Sequence, residues 1–230
     1  MPLVIAIDGP SGSGKSSVSR AVAQRLNLAY LDTGAMFRAL TWWCLQRGID
    51  LEDQPAVARA AKALPLHMGT DPAAPSVQVD GAAIDEAIRA SVISESVSKV
   101  AVNLDVRDEL RSRQRALIAE SVEASGGVVA EGRDITTVVA PDAHVRILLS
   151  ASQQARLSRR AKQLHGHDGS ASVTATHDQV VRRDKDDSTV SQFMHAAAGV
   201  TLVDTSELDF EQSVQAVLDV VHAQSADIRQ

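Results

Sequence analysis

A single cysteine, Cys44, occurs in the 230 residues, so the chain can form no internal disulfide and no cysteine-built metal site. Cys44 sits in the apolar run Leu40 to Leu45, where a buried structural thiol is expected. An excess of positive charge is also lacking. Lys and Arg total 23 against 29 Asp and Glu, a formal net charge of −6, which argues against a nucleic-acid polymer as the main ligand. No apolar segment approaches the length of a membrane span, and the N-terminus runs straight into a strand-like stretch with no signal peptide. A cytoplasmic protein is the expectation. No internal repeat is present. Hydrophobic residues at 44% and charged residues at 23% suit one large domain, or a core with inserts, around a substantial interior.

What is present begins at residue 3. Leu3 to Ile7 is a short apolar, β-branched run that reads as a buried strand. It leads into Gly9, Pro10, Ser11, Gly12, Ser13, Gly14, Lys15, Ser16 and Ser17, which fit G-x-x-x-x-G-K-[ST], the phosphate-binding loop. Val18, Val22 and Leu26 then fall at helical spacing, so the motif lies between a strand and a helix N-terminus, the context it requires. Its glycines let consecutive N–H groups turn inward on a phosphate, and the helix end adds free donors and partial positive charge. Lys15 is expected to reach the β- and γ-phosphates, and the Ser16 hydroxyl to ligate the accompanying Mg²⁺. The chain is therefore expected to bind a nucleoside triphosphate.

Farther along, strands are expected at Leu28 to Leu31, Val128 to Ala130, Val145 to Leu149 and Val200 to Val203. Helices are expected at Ala35 to Arg47, Asp53 to Leu64, Ser91 to Val102, Asp105 to Val122, Gln153 to Leu164 and Phe210 to Ala223. Both tryptophans and Phe37 sit in the first of these helices. Alternating strands and helices imply an α/β protein with a five-stranded parallel sheet flanked by helices on both faces. Ligands then lie beyond the carboxyl ends of the strands, where Asp8-Gly9, Asp32-Thr33 and Arg133-Asp134 could line one crevice. Residues 65–93 break the rhythm with two short strand-like runs and turn residues, and read as a small β-containing insert. Core segments are expected at 1–64 and 94–230. Arg107, Arg111, Arg113 and Arg115 share one helix but cannot share one face, so most are expected to be solvated.

Phosphoryl transfer needs charge neutralisation and in-line positioning more than acid–base work, and arginine pairs bidentately with phosphate. Two arginine clusters, Arg156-Leu-Ser-Arg159-Arg160 and Arg182-Arg183-Asp-Lys-Asp-Asp187, flank the polar patch from His165 to Ser172. This stretch, about 156–187, reads as a mobile lid that closes over the transferring group. His165 and His167 lack further His or Cys at ligand spacing and read as solvated. No Asn-Lys-x-Asp guanine reader occurs.

The chain resembles bacterial cytidylate kinases, of the nucleoside monophosphate kinase group, nearly end to end. The resemblance rests on Asp8-Gly-Pro-Ser-Gly-Ser-Gly-Lys-Ser, Asp32-Thr-Gly-Ala-Met-Phe-Arg38, Val106-Arg107, Glu131-Gly-Arg-Asp-Ile135, Pro141-Asp-Ala, Arg183-Asp-x-x-Asp-Ser188 and Asp204-Thr-Ser206. It implies the three-layer fold of P-loop kinases, with residues 65–93 as the monophosphate-binding insert. It also implies ATP and CMP or dCMP as substrates, Mg²⁺ with the ATP, and a monomer without polymer or membrane partners. Thr33, Ser98, Arg107 and Asp134 would surround the cytosine, and Arg38, Arg133 and Arg183 the acceptor phosphate. Asp187 would contact the ribose. Phe37 stands where the family usually has Tyr. Lys15, Arg133, Arg183 and Arg159 would act on the transferring phosphoryl group, and Arg156 would join the ATP site.

One departure matters. The family continues Asp-Ser-x-Arg with Pro-Leu a few residues on, whereas this chain has Asp187-Ser-Thr-Val190-Ser191-Gln-Phe193-Met. Losing a charge-assisted hydrogen bond costs about 1.5–3 kcal/mol, so a slower enzyme or an altered ribose-versus-deoxyribose preference is expected. Two other readings remain open: a kinase of a different nucleoside monophosphate or small acceptor, and an ATP-binding module without transfer.

Overall fold

The structure is a computed structural model that describes residues 2–165 and 184–227. Five parallel strands form the central sheet: β1 (Leu3–Asp8), β2 (Ala29–Asp32), β6 (Gly127–Gly132), β7 (Val145–Ser150) and β8 (Thr201–Asp204). Their spatial order is β2-β6-β1-β7-β8. The inner strands are short apolar runs largely buried on both faces, as parallel sheets require; all six residues of β6 are buried, whereas the edge strand β8 exposes Leu202 and Asp204. Successive side chains point to opposite faces, and two apolar cores result. Ile5, Ile7, Val129, Ile147 and Leu149 face one of them. There they meet Val18 and Val22 of α1 (Lys15–Leu26) and Val214, Val217 and Val221 of α7 (Phe210–Asp227). Ala6, Leu31, Val128 and Ala130 face the other. That side is covered by Met36 and Leu40 of α2 (Thr33–Gln46) and by Val106 and Leu110 of α5 (Leu104–Ser125). Each large aliphatic buried this way contributes about 1.5–3 kcal/mol.

Helix starts are written locally. Asp32 caps α2 by accepting from Ala35 N at 2.9 Å, and Asp53 caps α3 (Gln54–Lys62) through Ala56 N at 3.0 Å. Asn103 caps α5 through Val106 N at 3.2 Å. Each such cap is worth about 1 kcal/mol.

Within residues 65–93, β3 (Leu66–Gly69), β4 (Ser76–Val79) and β5 (Ala82–Ala83) form an antiparallel sheet. The β4–β5 turn is Asp80-Gly81, both at positive φ (52° and 75°), the pattern that suits a two-residue hairpin. Polar contacts tie this sheet to the core. Arg20 donates to Pro72 O and Ala73 O, both at 2.6 Å, and Gln24 donates to Pro72 O at 2.9 Å. The helix α4 (Ser91–Ala101) then leads into α5.

The arginines of α5 correct the sequence reading: each of the four has a defined partner. Arg107 and Arg111 bond Asp134. Arg113 donates to Ala61 O, Lys62 O and Leu64 O, and so satisfies the end of α3. Arg115 donates to Val138 O and Val139 O. Helical spacing turned them to different faces, but each face meets backbone carbonyls or a carboxylate that periodicity cannot reveal. Cys44 is buried, and burial pushes its thiol up to about 11, which makes it an inert packing residue.

Candidate active site

The carboxyl ends of β1, β6 and β2 lie side by side, with Asp8 opposite Gly132 and Asp32 opposite Glu131. A cleft of about 990 Å³ opens beyond them. Gly9 to Ser17 forms one wall. Close approach explains two of its glycines. A Cβ on Gly9 would lie 2.3 Å from Leu149 O, and one on Gly12 would lie 2.6 Å from Arg156 O at a φ of +79°. No side chain caps α1 and no acid occupies its first turn, so its N–H donors and positive dipole end face the loop. Among the described residues, the buried Ser13 hydroxyl has no hydrogen-bond partner. Ser16 is exposed at the same helix start. A cradle this tight, with donors only, fits a polyphosphate.

Lys15 is ion-paired with Glu131, whose other oxygen accepts from Tyr30 Oη at 3.0 Å. Burial, then the Glu131 and Asp32 carboxylates, push the Tyr30 hydroxyl well up, so it stays a donor. Asp32 pairs with Arg38 at 2.8 Å. Burial disfavours the Asp32 carboxylate, yet Arg38, Lys15 and the Ala35 amide together hold it below its usual range. Burial also works against the Arg38 charge, and the facing Asp32 more than restores it.

Across the cleft, Arg133 leaves the end of β6 and pairs with Asp184 and Asp187, both at 2.9 Å. Asp134 Oδ2 accepts from Arg107 Nη2 at 2.7 Å and from Arg111 Nε and Nη2 at 3.2 and 3.0 Å. Arg107 also donates to Ser191 Oγ at 2.6 Å and stands 5.8 Å above the Phe37 ring. Thr33 is buried, its hydroxyl donating to Glu131 O at 2.8 Å.

Most expected site residues line this cleft, Thr33, Phe37, Arg38, Arg107, Asp134 and Asp187 among them; others take different places. Ser98 is buried and off the cleft wall, which its helix neighbours Ser94 and Val97 form instead. Arg156 is buried beneath the loop, donating to Ser11 O at 3.0 Å and pairing with Asp184. Arg159 reaches the wall, but its guanidinium is spent on Ser13 O, Thr205 and Leu208 O. Both arginines brace the loop from behind. Arg183 and His167 lie outside the described residues, as does most of the expected lid. Arg160 lines the cleft as well, near Arg38: burial and the Arg38 charge hold its pKa below the ordinary value. Its neighbours Arg156 and Arg159 share its sequence cluster, and only the turn of α6 (Gln153–His165) sorts the three. Glu131, Tyr30 and Asp184 were also not legible as site residues, because their roles come from partners distant in the chain, 101 residues between Tyr30 and Glu131 and from 28 to 173 for Asp184.

The cleft thus holds two cation-rich ends, a phosphate cradle with Lys15 and an Arg38–Arg133 pair, with Arg160 beside them. Such a site can hold two phosphorylated molecules end to end. A family model described as cytidylate kinase matches residues 5–223. The chain belongs to the cytidylate kinase family. Proteins named cytidylate kinase resemble it over nearly all of both sequences. One from Cutibacterium acnes is 48% identical over 96% of this chain and 96% of its own. One from Rhodococcus jostii is 47% identical, covering 95% and 94%, and one from Streptomyces avermitilis 42%, covering 97% and 94%. A solved structure of an uncharacterized protein from Eubacterium ventriosum shares the fold, with a TM-score of 0.53 at 11% identity over 96% of this chain and 98% of that one. Family membership makes the chain a phosphotransferase of the nucleoside monophosphate kinase type. Among the described residues, no helix is long and apolar enough to cross a membrane.

Proposed function

We propose that the chain transfers the γ-phosphoryl group of ATP to CMP and dCMP. The observation that carries this reading is the shared cleft, in which the strand ends bring Lys15 and its loop opposite Arg38, Arg133 and Asp134. The loop amides and Lys15 hold the ATP phosphates, with Lys15 exchanging Glu131 for phosphate oxygens. The Ser16 hydroxyl would serve as a ligand of Mg²⁺ arriving with ATP, and that ion would supply charge neutralisation for the transfer. Arg38 and Arg133 hold the CMP phosphate, and Arg183 joins them from the lid. A phosphate oxygen of CMP attacks the γ-phosphorus in line, the bond to the β–γ bridging oxygen breaks, and ADP leaves. Arg160 neutralises charge on the transferring group.

Thr33, Arg107 and Asp134 read the cytosine, and Phe37 packs beside it. Asp134 is fixed by two guanidinium groups and so offers an oriented acceptor to an exocyclic amine, which a uracil lacks. Asp187 contacts the ribose. Residues 65–93 form the monophosphate-binding insert and about 156–187 the lid. One chain supplies every residue named, so a monomer suffices, and the cytoplasm holds both substrates. Position 190 is a valine whose N–H closes a turn on Asp187 O at 3.3 Å, beside the proposed ribose contact. With no charged donor at this position, the expected outcome is slower transfer or a shifted preference between CMP and dCMP.

The test is ADP release from Mg-ATP against CMP, dCMP, UMP, AMP and shikimate. A site that hydrogen-bonds its base rejects the wrong one by about 10⁴, so CMP or dCMP should lead by orders of magnitude. Normal ATP binding without turnover on any acceptor would overturn the transfer reading.

A further inference from the structure

Phe193 has no solvent exposure and is among the largest fully buried side chains, yet it belongs to neither apolar core. Its ring lies instead under Arg133, whose guanidinium carbon is 4.3 Å from the ring centroid. Burial alternates over residues 191–194, with Ser191 and Phe193 buried and Gln192 and Met194 exposed. The inward pair meets two cations of the acceptor half: Ser191 accepts from Arg107, and Phe193 supports Arg133. Two edges of the Arg133 guanidinium are set by Asp184 and Asp187. Carboxylates at the edge fix the plane of a guanidinium only loosely against tilting, whereas an aromatic face fixes it from below by its negative quadrupole. Arg133 lines the cleft and Phe193 does not, so the ring sits behind the cation and not on the cleft wall.

We infer that Phe193 is a positioning residue whose aromatic face holds the Arg133 guanidinium toward the acceptor phosphate. This rests on the proposed nucleotide-kinase reading for its kinetic consequence, but not for its structural one. The acceptor side depends on the ring's electron distribution, and the ATP side does not. Leucine at this position keeps apolar volume and loses the quadrupole. Ring fluorination keeps the shape and weakens the quadrupole stepwise.

The experiment compares wild type, Phe193→Leu, and proteins carrying 4-fluoro-, 3,5-difluoro- and pentafluorophenylalanine at 193. Three readouts are taken: KM for CMP, KM for ATP and thermal midpoint. Cation–π contacts of this kind correspond to roughly threefold to thirtyfold in an equilibrium. KM for CMP should climb in order of fluorination and reach that range in Phe193→Leu, with KM for ATP within about twofold. A flat series, or KM for ATP rising in parallel, would overturn the inference. A loss in Phe193→Leu alone, with the fluorinated proteins unchanged, would reduce Phe193 to a packing residue and overturn it too. Should wild type itself fail to phosphorylate CMP, the kinase reading falls, and the ring contact is still decided by exchange of the Arg133 Nε proton in the ligand-free protein. That exchange, assigned by its disappearance in Arg133→Lys, should quicken along the same series, and a constant rate would refute the contact.

Discussion

Asp8 and Thr136 join the phosphate loop to the acceptor half of the cleft. The Asp8 carboxylate accepts from Thr136 N at 2.8 Å, Thr136 Oγ1 at 2.6 Å and Ile135 N at 2.9 Å. Asp8 precedes Gly9, and Thr136 follows Arg133 and Asp134 by two to three positions, so one side chain registers both ends of the site.

That arrangement has a pH signature. Burial raises the Asp8 carboxyl from 3.8 to about 6, against the opposing pull of its three hydrogen bonds. Between about pH 4 and pH 6 the native state keeps a proton that the unfolded chain has released. Stability from this group therefore falls as pH rises through the window, by about 3 kcal/mol in all. Asp8→Asn cannot titrate. Urea unfolding from pH 4.5 to 7 should show wild type losing stability relative to Asp8→Asn as pH increases; a difference independent of pH would contradict the assignment.

Lys15 and Glu131 should couple energetically apart from any role in catalysis. Glu131 is 1% exposed, and among the described residues the other hydrogen-bond donor to its carboxylate is Tyr30. Lys15→Ala strands a buried carboxylate, which costs about 3–5 kcal/mol. Adding Glu131→Gln removes the stranded charge, so the double variant should recover most of that loss. A double-mutant cycle by denaturant titration would return a coupling near zero if the pair were incidental.

Asp134 is held by three N–H donors from Arg107 and Arg111. Asp134→Ala leaves the buried Arg107 and the half-buried Arg111 without their shared acceptor and removes the proposed reader of the cytosine amine. Hydrogen bonds to charged groups are worth about 1.5–3 kcal/mol, so kcat/KM for CMP should drop roughly ten- to hundredfold. Because UMP never used that acceptor, its kcat/KM should change far less. Steady-state kinetics on both nucleotides settles this, and an equal loss for both would remove Asp134 from base selection.

The sheet was legible because a parallel strand buried on both faces has a local signature: Leu3 to Ile7 and Val145 to Leu149 are apolar runs too short for helices. The phosphate loop was legible because its backbone geometry demands glycines at fixed spacing. The arginines were legible as a class and not as individuals. Arg156, Arg159 and Arg160 are near neighbours in one helix, yet they divide between bracing the loop and facing the cleft according to which side of α6 packs on residues 11–13 and 205–208. Partners such as Asp184 on Ser11 N, or Phe193 under Arg133, join segments far apart in the chain. No periodicity encodes such pairings.

Arg160 supplies the sharpest separation of binding from chemistry. Burial first, and then the neighbouring Arg38 charge, depress its pKa, and both residues line the cleft, where an anion beside them would offset that repulsion. An anion whose charge grows in that position during transfer is stabilised more than either ground-state substrate. Arg160→Met should therefore lower kcat and kcat/KM together, by about 10²–10³, the scale of one lost donor to a developing oxyanion. KM for ATP should stay near wild type, because the loop amides and Lys15 are untouched. A variant with raised KM for ATP and normal kcat would assign Arg160 to nucleotide binding and not to the transferring phosphoryl group.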